Sequence, residues 1–214
     1  MDSAMQSDDA VTQETGKPVA VDRILDAAQV AFASHGFEAV NVQQIADKAG
    51  VSAKLIYHYF TRKENLYVEA LTRMSRDFFD NFKPPYPAGE TPLAIVREFG
   101  LRFADYYLDN PQTGRLVLDQ VVRGGKEISR SSRLEDLREG LLEPVELALS
   151  AGIADGTIKP DVSAQGVFFH LIVLTLGYGT VLSLLDPWHM QVPELENAPL
   201  REVIADAIAS FVRA

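Results

Sequence analysis

Residues 41–60 read NVQQIADKAGVSAKLIYHYF, and this stretch decides the fold. Asn41 is a good helix N-cap, and Gln44 three residues later completes a capping box, because each side chain can satisfy a backbone group at the helix start. Val42, Ile45, Ala46 and Ala49 recur at helical spacing and predict a buried stripe. Gly50 is free to take the turn conformation that other residues avoid. Ser52 caps a second short helix, in which Leu55 or Ile56, together with Phe60, faces a small core. Two short helices joined by an Ala-Gly-Val-Ser turn have the layout of a helix-turn-helix, which lays its second helix in the DNA major groove.

Working outward, residues 1–16 are polar and acidic and read as a disordered arm. The first helix is predicted to begin near Pro18, with Ile24, Leu25, Ala28, Ala31 and Phe32 as its buried stripe. Gly36 ends it, and Phe37 points back as a core plug. A fourth helix from near Arg62 carries Leu66, Ala70, Leu71, Met74, Phe78 and Phe82 and is stopped by Lys83-Pro84-Pro85-Tyr86-Pro87. Thr91-Pro92 and Asn110-Pro111 each restart a helix, the second ending near Gly124-Gly125. The stretch from Lys126 to Arg133 reads as a solvated loop; its cations and Arg123 could otherwise meet an anionic ligand or DNA. A helix from about Leu134 to Ser150 is predicted to kink at Pro144, and Gly152 to Gly156 forms a turn. A long helix spans about Ser163 to Leu185, and a last one about Leu200 to Val212. Between them lies an irregular loop with Trp188. No strand pattern emerges, so the predicted fold is all-α with about nine helices. The domains are then 17–64, a DNA-binding domain, and 65–214, an effector-binding and dimerisation domain.

The formal net charge of −10 looks wrong for a DNA binder until it is divided along the chain. Residues 17–63 hold six cations against four carboxylates and are net positive, whereas both flanking parts are acidic. Phosphate attraction needs a local positive face rather than a positive whole. Cysteine is absent, which excludes disulfides and thiolate metal sites. His35, His58, His170 and His189 form no close ligand pair, so no metal is expected. Neither a phosphate-binding loop nor a nucleophile elbow is present, and the chain reads as a non-enzyme without a cofactor. The opening residues carry no signal-peptide pattern, so a cytoplasmic location is expected.

The chain resembles the TetR family of transcriptional regulators from Arg23 to Leu71. The likeness rests on Ile24, Leu25, Ala27, Ala28, Phe32, Gly36, Phe37, Val42, Ile45, Ala46, Ala49, Gly50, Val51, Ser52, Tyr57, Phe60, Lys63, Glu64 and Leu66 in this order and spacing. The turn Ala151-Gly152-Ile153-Ala154-Asp155-Gly156-Thr157-Ile158 looks like one found before the long dimer helix of many members. The resemblance implies that Tyr57, Tyr59 and Lys63 touch phosphates, and the helix starts at Asn41, Val42, Gln43 and Ser52 suit the same ligand. Gln43, Ala53, Lys54 and His58 are the base-reading candidates. The family often has Gly-Thr where Lys54-Leu55 stands and histidine where Tyr59 stands, so the operator sequence is not legible.

Residues 166–185, GVFFHLIVLTLGYGTVLSLL, carry no charged side chain and by length alone suit a membrane span. His170, Thr175, Ser183 and the glycines lower its hydropathy, and no Lys/Arg cluster flanks it. A helix apolar all round is instead expected to be buried all round. Its own subunit and a second copy would cover it, giving a homodimer through the last two helices. The resemblance also implies a small-molecule pocket, for which Phe99, Phe103, Tyr106, Tyr107, Gln120, Phe169, His170 and Tyr178 are candidates, although such aromatics equally fill cores. The expected function is a ligand-responsive regulator, a repressor of a pseudo-palindromic operator released by a mostly apolar effector. The competing reading is an all-α small-molecule-binding protein or enzyme without DNA function.

Overall fold

The computed structural model describes residues 9–81, 89–127, 141–185 and 199–214, with side chains described over 19–80, 89–127, 141–180 and 199–214. The described residues form nine helices: α1 (Asp9–Ala39), α2 (Val42–Ala49), α3 (Ala53–Phe60), α4 (Lys63–Asn81), α5 (Pro92–Asp109), α6 (Pro111–Val122), α7 (Glu143–Ala154), α8 (Ala164–Leu185) and α9 (Leu200–Val212). Extended pairing among them is confined to one isolated bridge, Ile158 to Arg213. The chain divides into two compact units, Met1–Met74 with Arg115–Ser131, and Ser75–Gly114 with Ser132–Ala214.

In the first unit, Ile24, Leu25, Ala28 and Phe32 of α1 pack with Val42, Ile45, Ala46 and Ala49 of α2, Ile56 and Phe60 of α3, and Leu66, Ala70 and Leu71 of α4. Burial of these stripes removes apolar surface from water at about 25 cal/mol per Å², which is what holds helices too short to persist alone. Polar clamps join α1 to α4. Gln29 Nε2 donates to the Ala70 carbonyl at 3.1 Å, and Arg73 reaches the Asp22 carbonyl and the Asp26 carboxylate. Gly36 does not end α1 but kinks it near its end, with φ 74° and ψ 164°, a region open essentially to glycine alone. The bend turns Phe37 inward, to 5% exposure, against Phe32 and Tyr67.

In the second unit, Val96, Phe99 and Phe103 of α5, Val145 and Leu149 of α7, Val167 and Leu171 of α8 and Ile204, Ile208 and Val212 of α9 form one core. A Cβ placed on Gly100 would lie 3.2 Å from Ala205 Cα, so α5 and α9 approach closely there. Arg97 pairs with Glu202 and Asp206, and Arg201 with Asp105, across the same two helices. The Gly152–Ile158 turn packs Ile158 into the core at 2% exposure.

Several boundaries differ from expectation. α1 begins at Asp9 rather than near Pro18, so residues 9–16, read as an unstructured arm, are helical. Pro144 lies in the first turn of α7, where a missing N–H costs nothing, and so begins that helix instead of kinking one. The predicted helix from Leu134 falls partly outside the described residues, as do Phe82, the Lys83–Pro87 stop, Arg130, Arg133 and the loop with Trp188.

A Cβ at position 36 would meet Asp119 Oδ1 at 3.0 Å as well as an unfavourable φ. Gly36→Ala is therefore expected to destabilise the protein by roughly 1–3 kcal/mol, measured by urea unfolding; a loss under a few tenths of that range would mean the bend can relax.

Candidate nucleic-acid interface

α2 starts with a complete capping box: Gln44 N donates to Asn41 Oδ1 and Asn41 N donates to Gln44 Oε1, each at 2.9 Å. Its end is closed by Gly50 in the left-handed region, φ 65° and ψ 40°. Ser52 Oγ accepts from Leu55 N at 3.2 Å and so caps α3. Of the alternatives for the core face of α3, Ile56 is buried and Leu55 is only half-buried. The opposite face presents Lys54, Tyr57 and His58 to solvent, with Tyr57 50% exposed. Lys63, on the first turn of α4, sits with its ammonium 4.4 Å from the Phe37 ring centroid and donates to the Glu38 carbonyl at 3.4 Å.

The structure sorts the remaining candidates. Asn41, Gln43 and Ser52 are exposed, although Gln43 also donates to Asp47 at 2.7 Å. Val42 is buried, so its side chain packs and only its backbone N–H at the helix start can serve a phosphate. Ala53 and Tyr59 are half-buried against the core.

A polar cluster behind this surface was not visible in the sequence. Tyr67, fully buried, donates to Asp119 Oδ2 at 2.5 Å and accepts from Gln120 Nε2 at 2.8 Å. Asp119 Oδ1 accepts from the Phe37 backbone N–H at 3.3 Å. Arg123 pairs with Glu38 and Glu127, and its guanidinium carbon lies 4.2 Å from the Phe37 ring centroid. Burial, reinforced by the Asp119 hydrogen bond, pushes the Tyr67 phenol far above its usual range. Burial alone would raise the Glu127 carboxyl, but the hydrogen bonds from Arg123 and Gln120 outweigh it and hold it below 4.5. Arg123 is thus a structural ion-pair partner and not part of a solvated loop.

The effector candidates fare unevenly. Phe99 and Phe103 are fully buried in the second unit. Phe103 stacks on Tyr107 at 4.9 Å, and Phe78 meets Phe103, Tyr106 and Tyr107 edge-on. Tyr178 is half-buried against the same core, and His170 stacks on Phe211 at 4.0 Å. Gln120 belongs to the Tyr67 cluster in the first unit rather than to this group. Phe169 is 62% exposed and lies on the outer side of α8 with Val173 rather than in the described core.

A short exposed helix carrying donors, held from behind by a three-helix core, defines a helix-turn-helix DNA-binding protein. Residues 24–70 match the family model described as bacterial regulatory proteins, tetR family, and residues 92–187 match the tetracyclin repressor-like C-terminal domain. The HTH-type transcriptional regulator RutR of Escherichia coli is 28% identical over 85% of this chain and 80% of its own length. The HTH-type transcriptional repressor NicS of Pseudomonas putida is 25% identical over 74% and 75%. Among solved structures, a TetR-family regulator of Haemophilus influenzae aligns with TM-score 0.66 and 14% identity over 93% of this chain and 99% of that one. The regulator FadR of Bacillus subtilis, in complex with stearoyl-CoA, aligns with TM-score 0.62 and 17% identity over 90% and 97%. The chain belongs to the TetR family of bacterial transcriptional regulators, which are not enzymes.

Glu127 has a lowered pKa in the folded protein, so its stabilising contribution is full above 4.5 and fades as pH falls through the lower folded value. Glu127→Gln should therefore be less stable than the parent at neutral pH, and the gap should close on acidification. Thermal unfolding across pH 3 to 7 reads this, and a gap of constant size would remove the linkage.

Proposed function

We propose that the protein represses transcription by binding a pseudo-palindromic operator as a homodimer, and that a small, mostly apolar effector releases it. The DNA-binding domain, residues 17–64, inserts α3 in the major groove. Lys54 and His58 face base edges there with Gln43 and Ala53, while Tyr57, Tyr59, Lys63 and the starts of α2 and α3 hold phosphates. The observation that carries this reading is the one-sided burial of α3: Ile56 and Phe60 anchor it, and its donors project together from the other side. The repressor sense draws on the relatives, NicS among them, which are named as repressors.

Residues 65–214 would supply effector binding and dimerisation. Two features of a single chain support dimerisation through α8 and α9. Phe169 and Val173 lie four residues apart on α8 and are 62% and 50% exposed. Further along the helix, Gly177 and Gly179 have open space where a Cβ would stand. An uncovered apolar stripe with small residues suits close approach of a second copy about a two-fold axis. No described helix is long and apolar enough to cross a membrane, which leaves this stripe for protein contact. The effector would lie among Tyr106, Tyr107, Tyr178 and His170, around the aromatics Phe99 and Phe103. A similar structure was solved with stearoyl-CoA, whose long acyl chain, though not its charged head, is in keeping with a mostly apolar effector. Such a ligand acts only if it prefers a form in which the two α3 helices no longer match successive major grooves. The place of action is the cytoplasm, where the DNA is.

Selection of genomic fragments by the purified protein, followed by mobility shifts, tests the reading. Lys54→Ala should weaken the best fragment by 1–3 kcal/mol and relax preference at one position of each half-site if it reads a guanine. Phe169→Glu should yield monomers by sedimentation and abolish specific shifts; a dimeric Phe169→Glu protein would move the interface elsewhere.

A further inference from the structure

We propose that Arg123 is a positioning residue for DNA binding: it occupies the Glu38 carboxylate and so keeps the Lys63 ammonium available to a phosphate. The inference rests on the DNA-binding reading above. Lys63 and Arg123 both lie against the Phe37 ring, at 4.4 and 4.2 Å from its centroid, and both hold Glu38. Lys63 takes its main-chain oxygen at 3.4 Å, and Arg123 takes its carboxylate.

This division of Glu38 has an electrostatic consequence. A carboxylate lies within one side-chain length of its own carbonyl, so the Glu38 carboxylate is an anion within reach of Lys63. At present that anion is engaged by a guanidinium, which is a planar fork able to serve Glu38 and Glu127 together. Remove the fork and the Glu38 carboxylate, 84% exposed and free to swing, becomes a counter-ion for Lys63. It would then compete with the phosphate for the same ammonium. Arg123 itself is fixed from behind. Glu127 accepts from it, Gln120 ties Glu127 to Tyr67, and Asp119 ties Tyr67 to the Phe37 backbone. A segment some eighty residues downstream thereby sets the charge state of the DNA-facing surface.

The test uses full-length protein and the tightest genomic duplex that the parent selects, with affinity measured over a range of salt. One phosphate contact contributes about 0.9 to the slope of log K against log salt. Lys63→Ala and Arg123→Gln should each reduce the slope by about 1 per protomer, and the two together should lose no more than either alone. The decisive variant is Arg123→Gln with Glu38→Gln, in which the competing carboxylate is gone and the parental slope should return. A purely structural role for Arg123 predicts no such rescue. An unchanged slope in Arg123→Gln, additive losses with Lys63→Ala, or failure of Glu38→Gln to restore the slope in a folded protein overturns the proposal. Should Arg123→Gln not fold, Arg123→Met, which keeps an unbranched stem beside the Phe37 ring but no charge, carries the same three comparisons. If the parent selects no duplex, the DNA reading itself falls, an outcome separate from the other three.

Discussion

The eight-residue helix α3 is anchored chiefly by two buried side chains, Ile56 and Phe60, and much of the first unit serves to place them. An isolated helix of that length does not persist in water, because nucleation costs more than a turn and a half of hydrogen bonds returns. Its order must come from tertiary burial on one side and from capping at its start. The Ser52 cap satisfies one orphan N–H, and the Gly50 turn fixes the angle at which the chain enters. A helix anchored along a single edge keeps the other edge free, and a DNA reader needs that free edge. The same anchoring explains why Lys54, Tyr57 and His58 act as one rigid set: they share a helix too short to bend.

Legibility in the sequence followed the range of the interactions. The capping box at Asn41 and Gln44, the Gly50 turn, the Ser52 cap and the Thr91-Pro92 helix start are local, each decided within four residues, and all were readable. The choice between Leu55 and Ile56 was not, since one residue of register moves a side chain by 100° and only the packed core decides it. Pro144 was readable as a break but not as a beginning, because the same ring suits a first turn and disrupts an interior one. The long-range contacts left no trace. Asp119 meets Gly36 and Phe37 across more than eighty residues, and a lone aspartate on an amphipathic helix carries no mark of its partner. Gln120 stands near the effector candidates in sequence, yet its partners are Tyr67 and Glu127. The outward position of Phe169 is not legible, because α8 is apolar all round and has no polar face to mark its outside.

The polar cluster around Tyr67 shows why the first unit is not contiguous in sequence. Asp119 occupies the space that a side chain at Gly36 would need, and its carboxylate accepts from the very backbone that Gly36 frees to turn. Glycine at 36 and aspartate at 119 are therefore one device. Breaking either half leaves a buried polar group without a partner, a loss larger than the hydrogen bond itself contributes. The rings of Phe32, Phe37 and Tyr67 close around this point within 6 Å of one another. The bend before α2 is accordingly set by both apolar and polar contacts, and α2 in turn carries α3.

The charge pattern resolves in the same unit. A protein of net charge −10 should repel DNA, and even the positive stretch 17–63 contains Asp22, Asp26, Glu38 and Asp47. None of the four is left unengaged. Arg73 takes Asp22 and Asp26, Arg123 takes Glu38, and Gln43 donates to Asp47. Such exposed pairs add little to stability, but a paired carboxylate and guanidinium present a short dipole, whose field decays faster with distance than that of a lone charge. Arg73 shares one charge between Asp22 and Asp26 and Arg123 one between Glu38 and Glu127, so the acids are offset only in part. The local positive face therefore rests on where the cations stand, with Lys54 exposed on the outer side of α3, and a protein acidic overall can keep such a face.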